Sequence, residues 1–248
     1  MKIVRRVIRK AARHRAKRRG IHPPILNEAV NFEKRCIFIA VPKTGTTSVR
    51  LQIRPQGPPL INNPHLDIVQ VRDLLYVHLL RNALGKNRAF PSESTPSNAE
   101  IRDQAAATFT DLFKFSAVRN PWARAASIYS RREGVETREE LSFADFCAKH
   151  YYASDTCIHP TRHRNQLDWL CDEHSRCVMD YVYKLEEFDK AIGEIANRTD
   201  GRIILQNQVA NKNPESASRS YRDLYNQETK SIIAKRFEKD IDHFKYAF

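Results

Sequence analysis

Cys36-Ile-Phe-Ile-Ala-Val-Pro-Lys-Thr-Gly-Thr-Thr-Ser48 passes from an apolar run into a tight polar turn and on toward a helix. The run Cys36 to Val41 has no polar residue, the pattern of a strand covered on both faces. Pro42 and Gly45 interrupt it. Thr46, Thr47 and Ser48 can cap a helix that continues through Val49 and Leu51. A helix start carries partial positive charge and unpaired N–H groups, so it suits phosphate or sulfate. Lys43 adds a full charge and three donors at the same place.

The order of residues departs from the usual nucleotide loop, G-x-x-x-x-G-K-[ST], in which Lys follows the second Gly. Here Lys43 precedes the only Gly. A second segment repeats the architecture: Phe113-Lys-Phe-Ser-Ala-Val-Arg119-Asn-Pro-Trp-Ala-Arg124-Ala-Ala-Ser127-Ile-Tyr129. An apolar strand, Phe113 to Val118, ends at Asn120-Pro121 and enters a helix with Pro in its first turn. Arg119 stands at the strand end and Ser127 two helical turns further on.

Together the two segments resemble the sulfotransferases that use 3′-phosphoadenosine 5′-phosphosulfate (PAPS). Pro42-Lys43-Thr44-Gly45-Thr46-Thr47-Ser48 is similar to their 5′-phosphosulfate loop, and Arg119 with Ser127 to their 3′-phosphate pair. The wording Val-Arg-Asn-Pro-Trp-x-Arg-x-x-Ser-x-Tyr resembles the carbohydrate-modifying, sulfotransferase 2-like branch. Gln166-Leu-Asp-Trp-Leu, Val182-Tyr-Lys-Leu-Glu186-Glu-Phe and Asp240-Ile-Asp-His-Phe244-Lys-Tyr246 extend the resemblance, which covers roughly Phe32 to Phe248. It implies a P-loop-NTPase-like sulfotransferase fold, PAPS as donor and a hydroxyl acceptor, expected to be a carbohydrate. No metal is expected, since no carboxylate cluster suggests Mg²⁺.

A chain of 248 residues is read as one domain with ample core. Net charge is +13, but residues 1–20 hold ten Lys/Arg and no acid, so the rest is close to balanced. In that tail Ile3, Val4, Val7, Ile8, Ala11 and Ala12 recur at helical spacing, the pattern of a basic amphipathic helix. The tail is open to three readings: a solvated tail, a binder of anionic membrane surfaces, or a nucleic-acid binder. The last is disfavoured because the tail has no aromatic residue to stack bases. No stretch reaches a membrane span or a signal-peptide core, so a cytoplasmic location is expected, peripheral to a membrane if the tail binds one. Five cysteines and no secretory signal point to free thiols. Cys171 and Cys177 are the one close pair and are read as ordinary thiols.

The expected organisation is a tail at 1–20, a linker at 21–31 and a catalytic domain at 32–248. Strands are expected at Cys36–Val41, Phe113–Val118, Val178–Leu185 and Arg202–Leu205. Helices are expected after Ser48 to about Ile53, after His65, over 100–109, from Pro121 to Arg132, from Ser142, from Glu187 to Asn197 and from Thr229 to Phe237. Loops fill Arg54–Pro64 and Gly85–Asn98, both Pro-rich and read as acceptor-pocket walls. Alternating strands and helices give an α/β domain with a mainly parallel central sheet flanked by helices. Ligands of such sheets sit at the carboxyl ends of strands, where both anion segments lie.

Sulfuryl transfer needs three services. Lys43, with Thr44 to Ser48, suits the 5′-phosphosulfate and the charge that develops on the leaving phosphate. Arg119 and Ser127 suit the 3′-phosphate. A base must take the acceptor proton, and His65, at a helix start after the Pro-rich loop, is the first candidate. His159, His163 and Glu186 are alternatives. Arg124 can support the phosphate or form an ion pair, and Trp122 and Trp169 can stack on a ligand or fill the core. Two rival readings remain: a nucleotide-dependent kinase with a degenerate phosphate loop, and a membrane- or nucleic-acid-binding protein acting through its tail.

Overall fold

A computed structural model describes residues 24–89, 96–130, 142–148, 164–207 and 220–248, with the side chains of 85–89 left out. Four strands lie side by side in the order β1 (Val30–Asn31), β2 (Cys36–Ile39), β3 (Phe113–Val118) and β4 (Tyr181–Lys184). β1 runs antiparallel to β2, while β2–β3 and β3–β4 are parallel. The register sets Ile39 beside Ser116 and Val118 beside Lys184. The carboxyl ends of β2, β3 and β4 therefore come level, and the segments that leave them gather along one edge.

Alternation explains the unbroken apolar run. Ile37, Ile39 and Val41 point to one face, with Leu66, Ile68, Val71 and Leu75. Cys36, Phe38 and Ala40 point to the other, with Val49, Ile53, Ala191 and Ile195. A side chain such as Ile37 or Ile39 contributes about 1.5–3 kcal/mol when fully buried. The helices that cover the sheet are α1 (Thr46–Ile53), α2 (Ile68–Ala89) and α6 (Phe188–Arg198), while α3 (Asn98–Asp111) packs on α2. A third cluster joins α4 (Pro121–Tyr129), α5 (Phe143–Ala148) and α7 (Gln227–Arg236) through Trp122, Ile128, Phe146 and Ile233. A last helix, α8 (Glu238–Phe244), follows.

Several expectations change. α2 continues through Gly85 to Ala89 where a loop was expected. One glycine costs about 1 kcal/mol in a helix interior, too little to end a 22-residue element. Residues 203–207 form no strand. Ile203 and Leu205 are buried and Ile204 is exposed, the alternation of a strand. Their neighbour Gln206 is held by a side chain instead: it donates N–H to Gln52 Oε1 at 2.7 Å and accepts Gln52 Nε2 at 3.1 Å. Within 21–31, Leu26, Ala29 and Val30 are buried and β1 pairs with the sheet. Cys171 and Cys177 face each other in an isolated antiparallel bridge, both as thiols.

Candidate active site

The segment after β2 is shaped by two left-handed residues, Lys43 at φ 68° and Gly45 at φ 73°. Such turns line up backbone amides into anion-binding concavities. Gly45, not a hydroxyl residue, is the N-cap of α1, and no side chain caps that helix. This corrects the capping expected of Thr46, Thr47 and Ser48. Thr46 is buried, Thr47 exposed and Ser48 half-buried, all in that first turn. Thr44 is buried and donates its hydroxyl to Val41 O at 2.9 Å, so that hydroxyl braces the turn. Gly45 is favoured for a second reason. A Cβ there would come within 2.6 Å of Leu185 Cδ1, at the end of β4.

Arg119 follows β3 directly and reaches across to this turn. Its Nη1 donates to Lys43 O at 3.3 Å. Burial pulls the Arg119 guanidinium below its ordinary pKa, and Glu186 opposes that pull. A cavity of about 400 Å³ opens beside it, lined by Arg119, Asn120, Ala123, Leu185, Glu186, Tyr221 and Arg222. Ser127 is half-buried on α4, one turn beyond the cavity-lining Ala123 and on the same face. Asn120 caps α4 by accepting from the N–H groups of Trp122 and Ala123. Its own N–H donates to Glu186 Oε1 at 2.8 Å, so Glu186 ties the ends of β3 and β4 together.

Arg124 resolves into a structural group. It is fully buried, donates Nε to Pro42 O at 3.1 Å and lies over the Phe237 ring. Burial holds its pKa down to about 10. Trp122 and Trp169 are both buried: Trp122 donates Nε1 to Lys230 O at 3.0 Å, and Arg164 stacks on Trp169.

His65 stands at the base of the turn. Its Nδ1 is 2.7 Å from Ala40 O, the last carbonyl before Val41 and Pro42. A carbonyl only accepts, so Nδ1 carries the hydrogen and the neutral ring offers Nε2 as its basic nitrogen. His159 and His163 lie outside the described residues. Leu185, Tyr221 and Arg222 were not singled out from the sequence. Leu185 enters by strand register, and Tyr221 and Arg222 come from a remote short helix, Tyr221–Leu224. No local pattern marks either. Among the described residues no cluster of His, Cys, Asp or Glu could hold a metal ion, and no helix is long and apolar enough to cross a membrane.

The α/β sheet gathers Lys43, Arg119 and a helix start at one edge, an arrangement suited to an anionic ligand. The model of the sulfotransferase family matches residues 30–247, and the chain belongs to that family, in keeping with the sulfotransferase 2-like branch. It is thus a transferase of sulfuryl groups, and its acceptor class is hydroxyl-bearing. No curated protein and no solved structure matches the chain.

Proposed function

We propose that this enzyme moves the sulfuryl group of PAPS to a hydroxyl of a carbohydrate, giving a sulfate ester and adenosine 3′,5′-bisphosphate. The observation that carries the reading is the Arg119 Nη1 to Lys43 O contact. It joins the two anion segments at the carboxyl ends of adjacent parallel strands, close enough for one ligand with two anionic ends. The residues present suit that donor: a cationic side chain at Lys43, an uncapped helix start at Gly45 and a guanidinium at the mouth of the cavity.

The turn from Lys43 to Ser48 would hold the 5′-phosphosulfate, with Lys43 meeting the charge that grows on the leaving phosphate oxygen. Arg119 would grip the 3′-phosphate, with Ser127 as a further donor from the same helix face. In the transfer the bond from sulfur to the phosphate oxygen breaks as the bond to the acceptor oxygen forms. The acceptor proton passes to His65 Nε2, and the Nδ1–H bond to Ala40 O steadies the imidazolium that results. The carbohydrate acceptor follows from the likeness of the Arg119 segment to the carbohydrate-modifying branch. We place the reaction in the cytoplasm, with residues 1–20 able to bring the enzyme to an anionic membrane surface.

Calorimetry tests the donor site. Adenosine 3′,5′-bisphosphate should bind far more tightly than adenosine 5′-monophosphate, and Arg119→Ala should erase most of that difference. Preference for ATP-Mg²⁺, or no binding of the bisphosphate, would sink the reading.

A further inference from the structure

Gln166 is completely buried, and its amide is fully engaged. Oε1 accepts the Arg119 N–H at 2.8 Å, and Nε2 donates to Arg119 O at 2.8 Å. One side chain thus takes both backbone groups of one residue, as a neighbouring strand would. The residue it holds is the one whose guanidinium reaches the anion turn.

The amide is in turn fixed from α8. Asp240 is completely buried and accepts from Gln166 N at 2.8 Å, Gln166 Nε2 at 3.1 Å and Leu167 N at 2.9 Å. Both bonds made by Nε2 require a donor, so the amide cannot flip without losing both of them and the Arg119 N–H bond as well. Burial pushes the Asp240 carboxyl up, and these amide donors and Arg124 pull it back.

We infer that Gln166 is a positioning residue for the 3′-phosphate end of the donor, acting through the backbone of Arg119 and held in its one working orientation by Asp240. The inference rests on the donor site proposed above. β3 ends at Val118, so Arg119 has no ladder partner to set its direction. The Gln166 amide supplies one. A guanidinium makes its paired bonds to phosphate only when the fork is correctly aimed, so a loosened root is felt at the far end of the side chain.

The test compares adenosine 3′,5′-bisphosphate with adenosine 5′-monophosphate in Gln166→Met, which keeps length and loses the amide, and in Gln166→Asn, which keeps the amide on a stem one methylene too short to meet both Arg119 backbone groups and Asp240. The wild-type preference for the bisphosphate should fall by about tenfold or more in each, with monophosphate affinity within about twofold. In the double variant with Arg119→Ala, the substitution at 166 should add nothing to the loss of preference. Equal weakening of both nucleotides, or additive losses in the double variant, means a merely structural residue and overturns the inference. A wild-type enzyme with no preference for the bisphosphate overturns the donor site itself. If Gln166→Met does not fold, Gln166→Asn carries the same two comparisons.

Discussion

Alanine at Gly45 and alanine at Gly201 meet the same backbone and different surroundings. Both glycines sit at φ 73°. Nothing lies within 4 Å of a Cβ built at Gly201, whereas at Gly45 it would come within 2.6 Å of Leu185 Cδ1. Left-handed backbone costs a residue with a Cβ about 1–2 kcal/mol, so both variants carry that penalty. At Gly45 the Leu185 methyl must also swing aside, adding about 0.5–1.5 kcal/mol for an off-rotamer side chain. A domain of this size loses about 2–4 °C of Tm per kcal/mol. Thermal unfolding should thus fall for both, and a few degrees further for Gly45→Ala. Binding is the sharper assay, because Leu185 lines the cavity beside Arg119. Gly201→Ala should bind adenosine 3′,5′-bisphosphate as the wild type does, and Gly45→Ala should bind it about tenfold or more weakly, since a Cβ and a displaced leucine both intrude on the turn. Matching Tm losses together with matching affinities would show that the close approach of β4 to this turn does not shape the site.

Gly193 lies in α6 with nothing within 4 Å of its would-be Cβ, so Gly193→Ala should stabilise the protein by about 0.5–1 kcal/mol, read by denaturant unfolding. His65→Ala should lower kcat by about 10²–10⁴ with donor affinity little changed; retained turnover would remove it as the base. Lys43→Ala should abolish turnover at saturating donor, and near-normal kcat there would exclude the proposed leaving-group role. Burial pushes the Cys36 and Cys147 thiols up to about 12, so maleimide at pH 8 should label exposed Cys177 while those two stay protected. The same shift gives a sign for stability: an unfolded thiol ionises near 9.0 while the folded one holds its proton to about 12, so unfolding free energy should fall as pH rises past 9. A flat profile between pH 9 and 11 would contradict that burial.

The residues that could be read directly are those whose environment is local. Phe113–Val118 keeps its expected bounds because the apolar run is closed by Asn120-Pro121, a cap and a first-turn proline, all within a few residues. The positions of Lys43 and Arg119 were legible for the same reason, each between a strand and a helix. β1 escaped notice because two residues carry no periodicity and gain their pairing only from β2. Arg202–Leu205 misled because alternation reports burial on one side, whereas a strand also needs a backbone partner, and here a Gln52 side chain takes that place. Gln166 and Asp240 could be quoted as segments, but the bonds that give them meaning span 47 and 74 residues. Leu185, Tyr221 and Arg222 meet at the cavity by strand register and by the path of the chain, and neither is written in neighbouring residues.

The far end of the described chain closes the same edge of the sheet. Tyr246 donates its hydroxyl to Glu186 at 3.3 Å, Asn120 Nδ2 donates to Ala247 O at 2.7 Å, and Phe248 sits edge-on to Trp122, Tyr221 and Tyr225. Asn120 is the residue after Arg119, so two walls of the cavity, Asn120 and Glu186, are tied down by residues that follow Lys43 and Gly45 by some two hundred positions. During synthesis, therefore, the turn and the first parallel pair can form while the ribosome is still extending the chain, but Asn120 and Glu186 gain these two bonds only once residues 246–248 have emerged. A nascent chain stalled before Tyr246 would carry the turn without the bonds that brace Asn120 and Glu186, which makes a settled cavity a late event in the life of each molecule.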